Sequence, residues 1–356
     1  MSAQFHKLKV AAIDKPIKDA ASVTFILPGH LYKEFNFYPG QHLNIKFQIK
    51  GEEIRRSYSL NSCPHANEPL QITVKRVEGG LVSNFINDEL KVGHELEVMV
   101  PQGRFYADIK KDDYKTFFLF AAGSGITPII SILKSVMIIA PYSAVNLFYG
   151  NKNQDTIIFK NELDELKNKY AGRLNIVHIL SQPKVWTTWE QWKGKKGRID
   201  TDSVEEFITA NPPVAQSTAY FICGPGQMNL HVRKTLLELG IPKNLIHIEQ
   251  FGGSADEIKT EIVPAEKAAL IAHLNGNKHA LNIPKGKTIL QALKDNHIDP
   301  PYSCESGVCA TCVAKVKNGK AEMKSCMALD DDEIKNGNIL TCQALPTTAE
   351  IEIVFK

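Results

Sequence analysis

The segment Thr116-Phe-Phe-Leu-Phe-Ala-Ala-Gly-Ser-Gly-Ile-Thr-Pro128 runs from an unbroken apolar stretch through two glycines to a threonine and a proline. Continuous apolar sequence of this length is the pattern of a strand buried on both faces. Pro128 reads as the first residue of a helix over 128–137, a position where its missing N–H costs nothing. A buried strand, a Gly-rich turn and a helix start, in that order, form the setting of a dinucleotide pyrophosphate site. Gly123 and Gly125 let the backbone approach an anion, and the helix amides face it. The third glycine of a G-x-G-x-x-G fingerprint is absent. A tight strand-to-helix turn alone explains the glycines, but not the hydroxyls of Ser124 and Thr127.

The same rhythm extends across 108–252. Strands are predicted at 144–149, 174–180, 219–223 and 245–250, with helices at 160–170 and 228–239, the latter closed by Gly240. Alternating strands and helices predict an α/β doubly wound parallel sheet. Upstream, 1–107 reads as short alternating strands, as in 41–49 and 70–77, punctuated by Pro39-Gly40, Gly79-Gly80 and Pro101 to Gly103. That spacing predicts a small antiparallel β-barrel. Downstream, the small polar stretch from Gly252 predicts a linker over 253–262, before a third, α+β domain over 263–356. In that domain a hairpin turns at Asn275-Gly276, Thr288 opens a helix, and the chain ends on a strand over 349–355.

Composition narrows the function classes. The 356 residues carry a net charge of +3, with 43% apolar and 23% charged residues. This balance gives no electrostatic case for nucleic acid or an anionic membrane. No signal-peptide core and no membrane-length apolar run is present, so a cytoplasmic, reducing setting without membrane insertion is expected. Trp186, Trp189 and Trp192 interleave with lysines, and are expected to pack inward from a surface loop rather than to stack on bases.

Four cysteines define the third domain. Cys304, Cys309, Cys312 and Cys342 are spaced C-x4-C-x2-C-x29-C, the plant-type [2Fe-2S] arrangement. Gly307 and small Ala310 and Thr311 suit a loop whose amides turn toward sulfide. Structural zinc sites usually pair two C-x2-C units, and disulfides need an oxidising compartment. Cys326 is spare in this spacing and reads as a small hydrophobe.

Further motifs point to a flavin and a nicotinamide. Arg56-Ser57-Tyr58-Ser59 places a phosphate-binding fork and a flat ring on one strand face. Lys75-Arg76-Val77-Glu78-Gly79-Gly80-Leu81-Val82-Ser83 runs from a basic strand end through Gly-Gly into a helix start, a phosphate cradle or a capped turn. Cys223-Gly224-Pro225 is a second Gly-rich strand-to-helix turn. Its thiol reads either as lying beside a nicotinamide or as a buried strand end. Phe251 reads as a cover for a flavin ring or as core.

Together these motifs resemble the ferredoxin–NADP reductase superfamily, in the branch with a C-terminal plant-type ferredoxin domain of β-grasp fold. The resemblance covers nearly the whole chain. It implies FAD held by Arg56, Ser57, Tyr58, Ser59 and by Lys75, Arg76, Val77, Gly79, Gly80, Leu81 and Ser83. It implies NAD(P)H as electron donor at Gly123, Ser124, Gly125, Thr127, Pro128, Ser181, Cys223, Gly224 and Pro225, with Phe251 against the flavin. Ser59 and Cys223 are implied at the reacting centre, and the four cysteines as cluster ligands. Ser181-Gln182 stands where NADPH-using members often have Ser-Arg, with Lys152 or Lys184 as substitutes, so NADH and NADPH both stay open. The segments 307–312, 340–343 and 147–151 most resemble the reductases of ring-1,2-phenylacetyl-CoA epoxidase. The implied partner is therefore a multisubunit di-iron oxygenase. Reductases of other mono-oxygenases, hydroxylases or desaturases are alternatives, and a zinc-stabilised interaction protein is the alternative of a different class.

Overall fold

The computed structural model describes residues 4–184, 192–215, 217–251 and 262–355. They form two compact units. One holds residues 7–54 and 58–251, and the other holds 262–355 with short pieces at 4–6 and 55–57. Residues 253–261 of the expected linker, Trp186 and Trp189 lie outside the described residues.

The first part of the larger unit is antiparallel. Its strands are β1 (Phe5–Ile17), β2 (Ala20–Ile26), β3 (His42–Ile49), β4 (Glu52–Ser59), β5 (Gln71–Lys75) and β6 (Glu95–Met99), with helix α1 (Leu81–Asp88) after β5. The order β4-β3-β6-β1-β2-β5 leaves β4 and β5 at the two edges. A bridge between Leu60 and Ile72 joins those edges and closes the expected barrel. Closure removes the exposed edges that an open sheet would present. Inward-facing Leu8, Val10, Val23, Leu43, Ile45 and Val98 fill the interior, as the period-two alternation requires.

The second part is the parallel α/β sheet. Strands β7 (Lys115–Ala122), β8 (Ala144–Asn151), β9 (Leu174–Leu180), β10 (Lys195–Lys196), β11 (Ser217–Gly224) and β12 (Ile246–Gln250) lie in the order β10-β9-β8-β7-β11-β12. Helices α2 (Ile126–Ile139), α3 (Lys160–Lys169), α4 (Thr201–Ala210) and α5 (Gly226–Glu238) connect them. The order reverses direction beside β7, the topological switch point at which open α/β sheets bind ligands. Helix α2 begins two residues before Pro128, which sits buried at its third position. That position is still within the first turn, whose N–H groups have no partner inside the helix. Lys134 of α2 is buried between Glu68 at 2.7 Å and Glu162 at 3.1 Å, and Ser131 Oγ donates to the Ser62 carbonyl at 2.7 Å. These contacts tie the barrel's 61–68 loop to the helix that follows the Gly123 turn. Trp192 donates Nε1–H to the Lys195 carbonyl at 2.8 Å and packs against the core, as expected of an inward-facing loop aromatic.

The smaller unit contains β13 (Lys267–Leu274), β14 (Asn277–Pro284), α6 (Ile289–Asp295), β15 (Val313–Asn318), β16 (Ala321–Met323), α7 (Asp331–Lys335), β17 (Asn338–Leu340), β18 (Ala344–Pro346) and β19 (Glu350–Phe355). Its main sheet has the order β14-β13-β19-β15-β17. Asn275 and Gly276 both take positive φ, 53° and 79°, the two-residue turn that matches strand twist. Thr288 caps α6 by accepting from Gln291 N–H, and Gln291 reciprocates. Among the described residues no helix is long and apolar enough to cross a membrane.

Candidate active site

Two Gly-rich turns meet at the carboxyl edge of the parallel sheet. A Cβ on Gly125 would lie 2.0 Å from the Cys223 carbonyl oxygen, and one on Gly224 would lie 2.6 Å from Met228 Cε. Only glycine at 125 lets the turn after β7 pack against the end of β11. Thr127 Oγ1 donates to the Ser124 carbonyl at 3.1 Å, and the Tyr149 hydroxyl donates to the Gly123 carbonyl at 3.0 Å. Neither α2 nor α5 has a side-chain cap, so their first-turn amides are available to an anion. A cavity of about 660 Å³ opens over these turns, within the size range of small-molecule and cofactor sites. Gly123, Ser124, Ser181, Gly224, Pro225 and Phe251 line it. Gly125, Thr127 and Pro128 shape the turn from beneath. Phe251 packs on the core, one of the two roles considered for it, and also forms cavity wall. Lys75 leaves the barrel strand to join the same wall, its Nζ 3.6 Å from where a Gly123 Cβ would stand. Burial is the main cause that lowers its pKa, with Lys152 adding repulsion.

The polar centre beside this cavity contains a residue without a sequence signature. Glu249, on β12, pairs in register with Cys223 on β11. Ser59 Oγ donates to Glu249 Oε2 at 3.2 Å, and His42 Nδ1 lies 3.9 Å from Oε1. Burial pushes the Glu249 carboxyl up to about 8, against the opposing pull of the Ser59 bond. Burial drives His42 down to about 4, so the imidazole is neutral near pH 7. Cys223 is fully buried, and desolvation raises its thiol well above the ordinary value. It is therefore a compact neutral group, unlike the thiolate of a nucleophilic cysteine. Ser59, Glu249 and Cys223 together make a water-poor, uncharged pocket end in which a carboxyl holds a proton at neutral pH. In Ile246-His-Ile-Glu-Gln250 the acid looks like an ordinary solvent-facing strand residue, and only the pairing of β11 with β12 turns it inward.

The flavin-type motifs occupy the barrel. On β4, Arg56 is exposed and donates Nη1–H to the Arg55 carbonyl at 2.8 Å, Ser57 and Tyr58 are half-buried, and Ser59 is buried. The Tyr58 ring stands edge-on to Phe47 at 6.3 Å. After β5, Gly79 takes φ +69°, and Gly80 caps α1 without a side chain. Ser83 Oγ accepts from Val77 N–H at 3.1 Å and donates to the Gly80 carbonyl at 3.3 Å, which fixes the turn. Arg76 is engaged by both Asp88 oxygens at 2.6 Å and holds its register at the foot of α1. Val77 and Leu81 are 60% and 41% exposed beside these open amides. Apolar surface next to bare helix amides fits a ligand with both a flat ring and a diphosphate.

The cysteine loop builds a different kind of site. Cys304 and Cys309 lie close enough to shift each other's titration, and so do Cys312 and Cys342. Cys304 is drawn toward thiolate, first by Cys309 and then by backbone amides; the Ser306 N–H reaches its sulfur at 3.4 Å. Thr341 donates both N–H and Oγ1–H to the Cys312 carbonyl, at 3.1 and 3.0 Å, and so brings Cys342 to the loop. Glu305, Gly307 and Ala310 all have positive φ, and a Cβ on Gly307 would meet the Ser325 carbonyl at 2.9 Å. Among the described residues no three His, Cys, Asp or Glu converge on a single ion. Two thiol pairs suit the two irons of a [2Fe-2S] cluster better than the one tetrahedron of zinc. Cys326 is half-buried in the apolar cluster containing Leu329 and Leu340, in keeping with a packing role.

Known proteins agree with this layout. Residues 7–106 match the oxidoreductase FAD-binding domain family, 119–234 the oxidoreductase NAD-binding domain, and 272–347 the 2Fe-2S iron-sulfur cluster binding domain. The chain is 34% identical over 353 residues to a component of the 1,2-phenylacetyl-CoA epoxidase of Escherichia coli strain K12, covering 99% of this chain and 98% of that protein. It is also 34% identical over 362 residues to the ferredoxin reductase component of 3-ketosteroid-9-alpha-monooxygenase from Rhodococcus rhodochrous, covering 98% and 96%. Phthalate dioxygenase reductase shares the fold with TM-score 0.60 at 24% identity, over 99% of this chain and 98% of that one. A self-sufficient cytochrome P450 monooxygenase shares it with TM-score 0.70 at 21% identity; this chain spans 41% of that longer protein. The chain thus belongs to the ferredoxin–NADP reductase-like oxidoreductases that carry FAD-, NAD- and [2Fe-2S]-binding domains and act as reductase components of oxygenase systems.

Proposed function

We propose that the chain delivers electrons from NAD(P)H to a multisubunit di-iron oxygenase that epoxidises phenylacetyl-CoA. The observation that carries this reading is the end-to-end 34% identity with the Escherichia coli epoxidase component. The equal identity to the steroid mono-oxygenase reductase supports a second reading, in which the acceptor is another mono-oxygenase.

The domain limits that serve this function are 1–107 for flavin, 108–252 for the nicotinamide nucleotide, 253–262 as linker and 263–356 for the cluster. Bound flavin and cluster would together supply the conversion of a two-electron donor into single-electron delivery. The chain's own groups hold and orient. Arg56 and the amides of Gly80 and Leu81 take the flavin diphosphate, Tyr58 packs on its ring, and the Arg76–Asp88 pair fixes the helix that presents those amides. The turns at Gly123–Gly125 and Gly224–Gly226 seat the dinucleotide phosphates. Cys223 and Phe251 bound the nicotinamide end and exclude water. Ser59 orients toward the reacting ring and shares its hydroxyl proton with Glu249, which near neutral pH can hold or release a proton there. Cys304, Cys309, Cys312 and Cys342 would hold the cluster, which would supply single-electron transfer.

The decisive experiment mixes the purified chain with the oxygenase proteins of a phenylacetyl-CoA epoxidase and, separately, with a steroid oxygenase. Epoxide formation coupled to NAD(P)H consumption only in the first mixture supports the proposal. Coupling only in the second would replace it with the steroid reading.

A further inference from the structure

The smaller unit includes Arg55, Arg56 and Ser57 of β4 and a short N-terminal piece that contains Phe5. Two of these β4 residues hold the dipeptide that precedes the first cysteine of the loop. The Arg55 guanidinium lies 4.1 Å from the centroid of the Tyr302 ring and 5.2 Å from that of Phe5. Its Nη2 donates to Asp299 Oδ1 at 2.8 Å. Ser57 Oγ and Ser303 Oγ share a hydrogen bond at 2.8 Å. Cys304 follows directly in the chain, and Tyr302 packs in one apolar cluster with Cys312 and Cys342.

The charge of Arg55 is compensated unevenly. Its side chain is 3% exposed, whereas that of Asp299 is 60% exposed. A buried cation needs partners, and here they are a carboxylate standing in water and two aromatic faces. Solvent screens the carboxylate far more than the buried guanidinium, so the pair leaves a positive potential on its interior side. Lys294 also reaches over the Tyr302 ring, at 4.6 Å. It differs in being 38% exposed and paired at 2.9 Å with Glu305, which is 37% exposed, so those two fields largely cancel. Filling space beside Tyr302 requires no charge, since an unbranched apolar side chain such as Met adapts to such gaps.

Reduction adds one negative charge to a [2Fe-2S] cluster, whose potential follows its local charge and hydrogen bonding. A fixed buried cation favours the reduced form. We propose that Arg55 is a positioning residue of the cysteine loop whose buried charge raises the reduction potential of the cluster. It acts through Tyr302, which it holds by ring stacking, while Ser57 holds Ser303. This rests on the reading that Cys304, Cys309, Cys312 and Cys342 hold the cluster.

The test is an anaerobic redox titration of the full-length holoprotein, followed by the EPR signal of the reduced cluster, in wild type, Arg55→Met, Arg55→Lys and Asp299→Asn. Arg55→Met should make the cluster about tenfold harder to reduce, which for one electron is ~59 mV more negative. Arg55→Lys keeps the charge and should lie closer to wild type than to Arg55→Met. Asp299→Asn removes the screened carboxylate and should move the potential the other way, by a smaller step. Opposite signs are the mark of charge. A shift of Arg55→Met and Asp299→Asn in the same direction, or a shift in Arg55→Lys as large as in Arg55→Met, would reduce Arg55 to packing and overturn the proposal. So would an unchanged potential in Arg55→Met. If Arg55→Met does not assemble a cluster, Asp299→Asn decides alone, and the absence of an upward shift overturns the proposal. A wild-type protein without a reduced-cluster signal after reconstitution with iron and sulfide would instead sink the cluster reading, and the role of Arg55 with it.

Discussion

On the proposed function, the cavity over the parallel sheet and the cysteine loop solve the same problem, holding a redox partner, with opposite materials. The cavity is made of main chain: open amides at the ends of regular strands and helices, brought together because glycines let two turns touch. The loop is made of side chains: four thiols on irregular backbone that visits positive φ at Glu305, Gly307 and Ala310. On the proposed function, the fold itself is the ligand set of the first, and side chains such as Glu249 adjust its chemistry. In the second, the side chains are the ligand set, and the fold serves to aim them. Substitutions should therefore separate cleanly between the two regions.

The largest effect is expected in the loop. Cys342→Ser should abolish the cluster, read as loss of bound iron and acid-labile sulfide, while flavin reduction by NAD(P)H continues. Loss of flavin reduction in a folded Cys342→Ser protein would mean the two regions do not work as separable modules. Next is the cavity's main chain. Gly125→Ala forces apart the two turns, and overpacking of this kind costs about 1–3 kcal/mol; we expect a lowered melting temperature and at least a tenfold loss of nucleotide affinity. If affinity is untouched, the amides are not the binding surface.

Glu249→Gln tests the side-chain layer of the cavity. Flavin reduction by NAD(P)H should slow about 10²-fold, the scale of a positioned proton-transfer group, with little change in nucleotide affinity. The same variant has a pH signature. Glu249 titrates at about 8 folded against 4.5 for the ordinary carboxyl. Its stabilising contribution is thus complete below 4.5 and is lost as the pH rises through about 8. Thermal stability of the flavin-free Glu249→Gln protein should fall less steeply than that of wild type as the pH rises from about 4.5 to about 8. An identical slope across that window would show that the carboxyl is not held protonated. The smallest effect is expected at Arg76→Ala, where loss of a solvent-screened ion pair should barely move stability. A larger loss, measured by denaturant unfolding without flavin, would mean that Arg76 holds α1 as firmly as a core residue.

Legibility in the sequence follows the same division. The 116–128 segment is readable because a buried parallel strand has no alternation to confuse it, and because turns need glycine. The hairpin at Asn275-Gly276 and the Thr288 cap are equally local, each set by a residue and its near neighbours. The four cysteines are readable because thiolate ligation depends on residue type and spacing. Two features are not local and stay hidden. Glu249 becomes part of the site only through the β11–β12 register and the approach of Ser59 from a distant strand. Lys75 adjoins the Gly79-Gly80 turn in sequence, and only the fold brings its side chain to the wall of the cavity over the parallel sheet. The start of α2 lies two residues before the position that Pro128 suggests, because proline is accepted anywhere in the first helical turn and not only at its start.

The contact between Gly125 and the Cys223 carbonyl also has a kinetic side. Residues 125 and 223 are far apart in the chain, and their turns meet only after β11 has inserted between β7 and β12. Such long-range parallel pairing is slow to form, because its loop-closure cost precedes its contacts. Nucleotide affinity should therefore emerge late in refolding, after secondary structure, and its onset would mark the moment the sheet's switch point is complete.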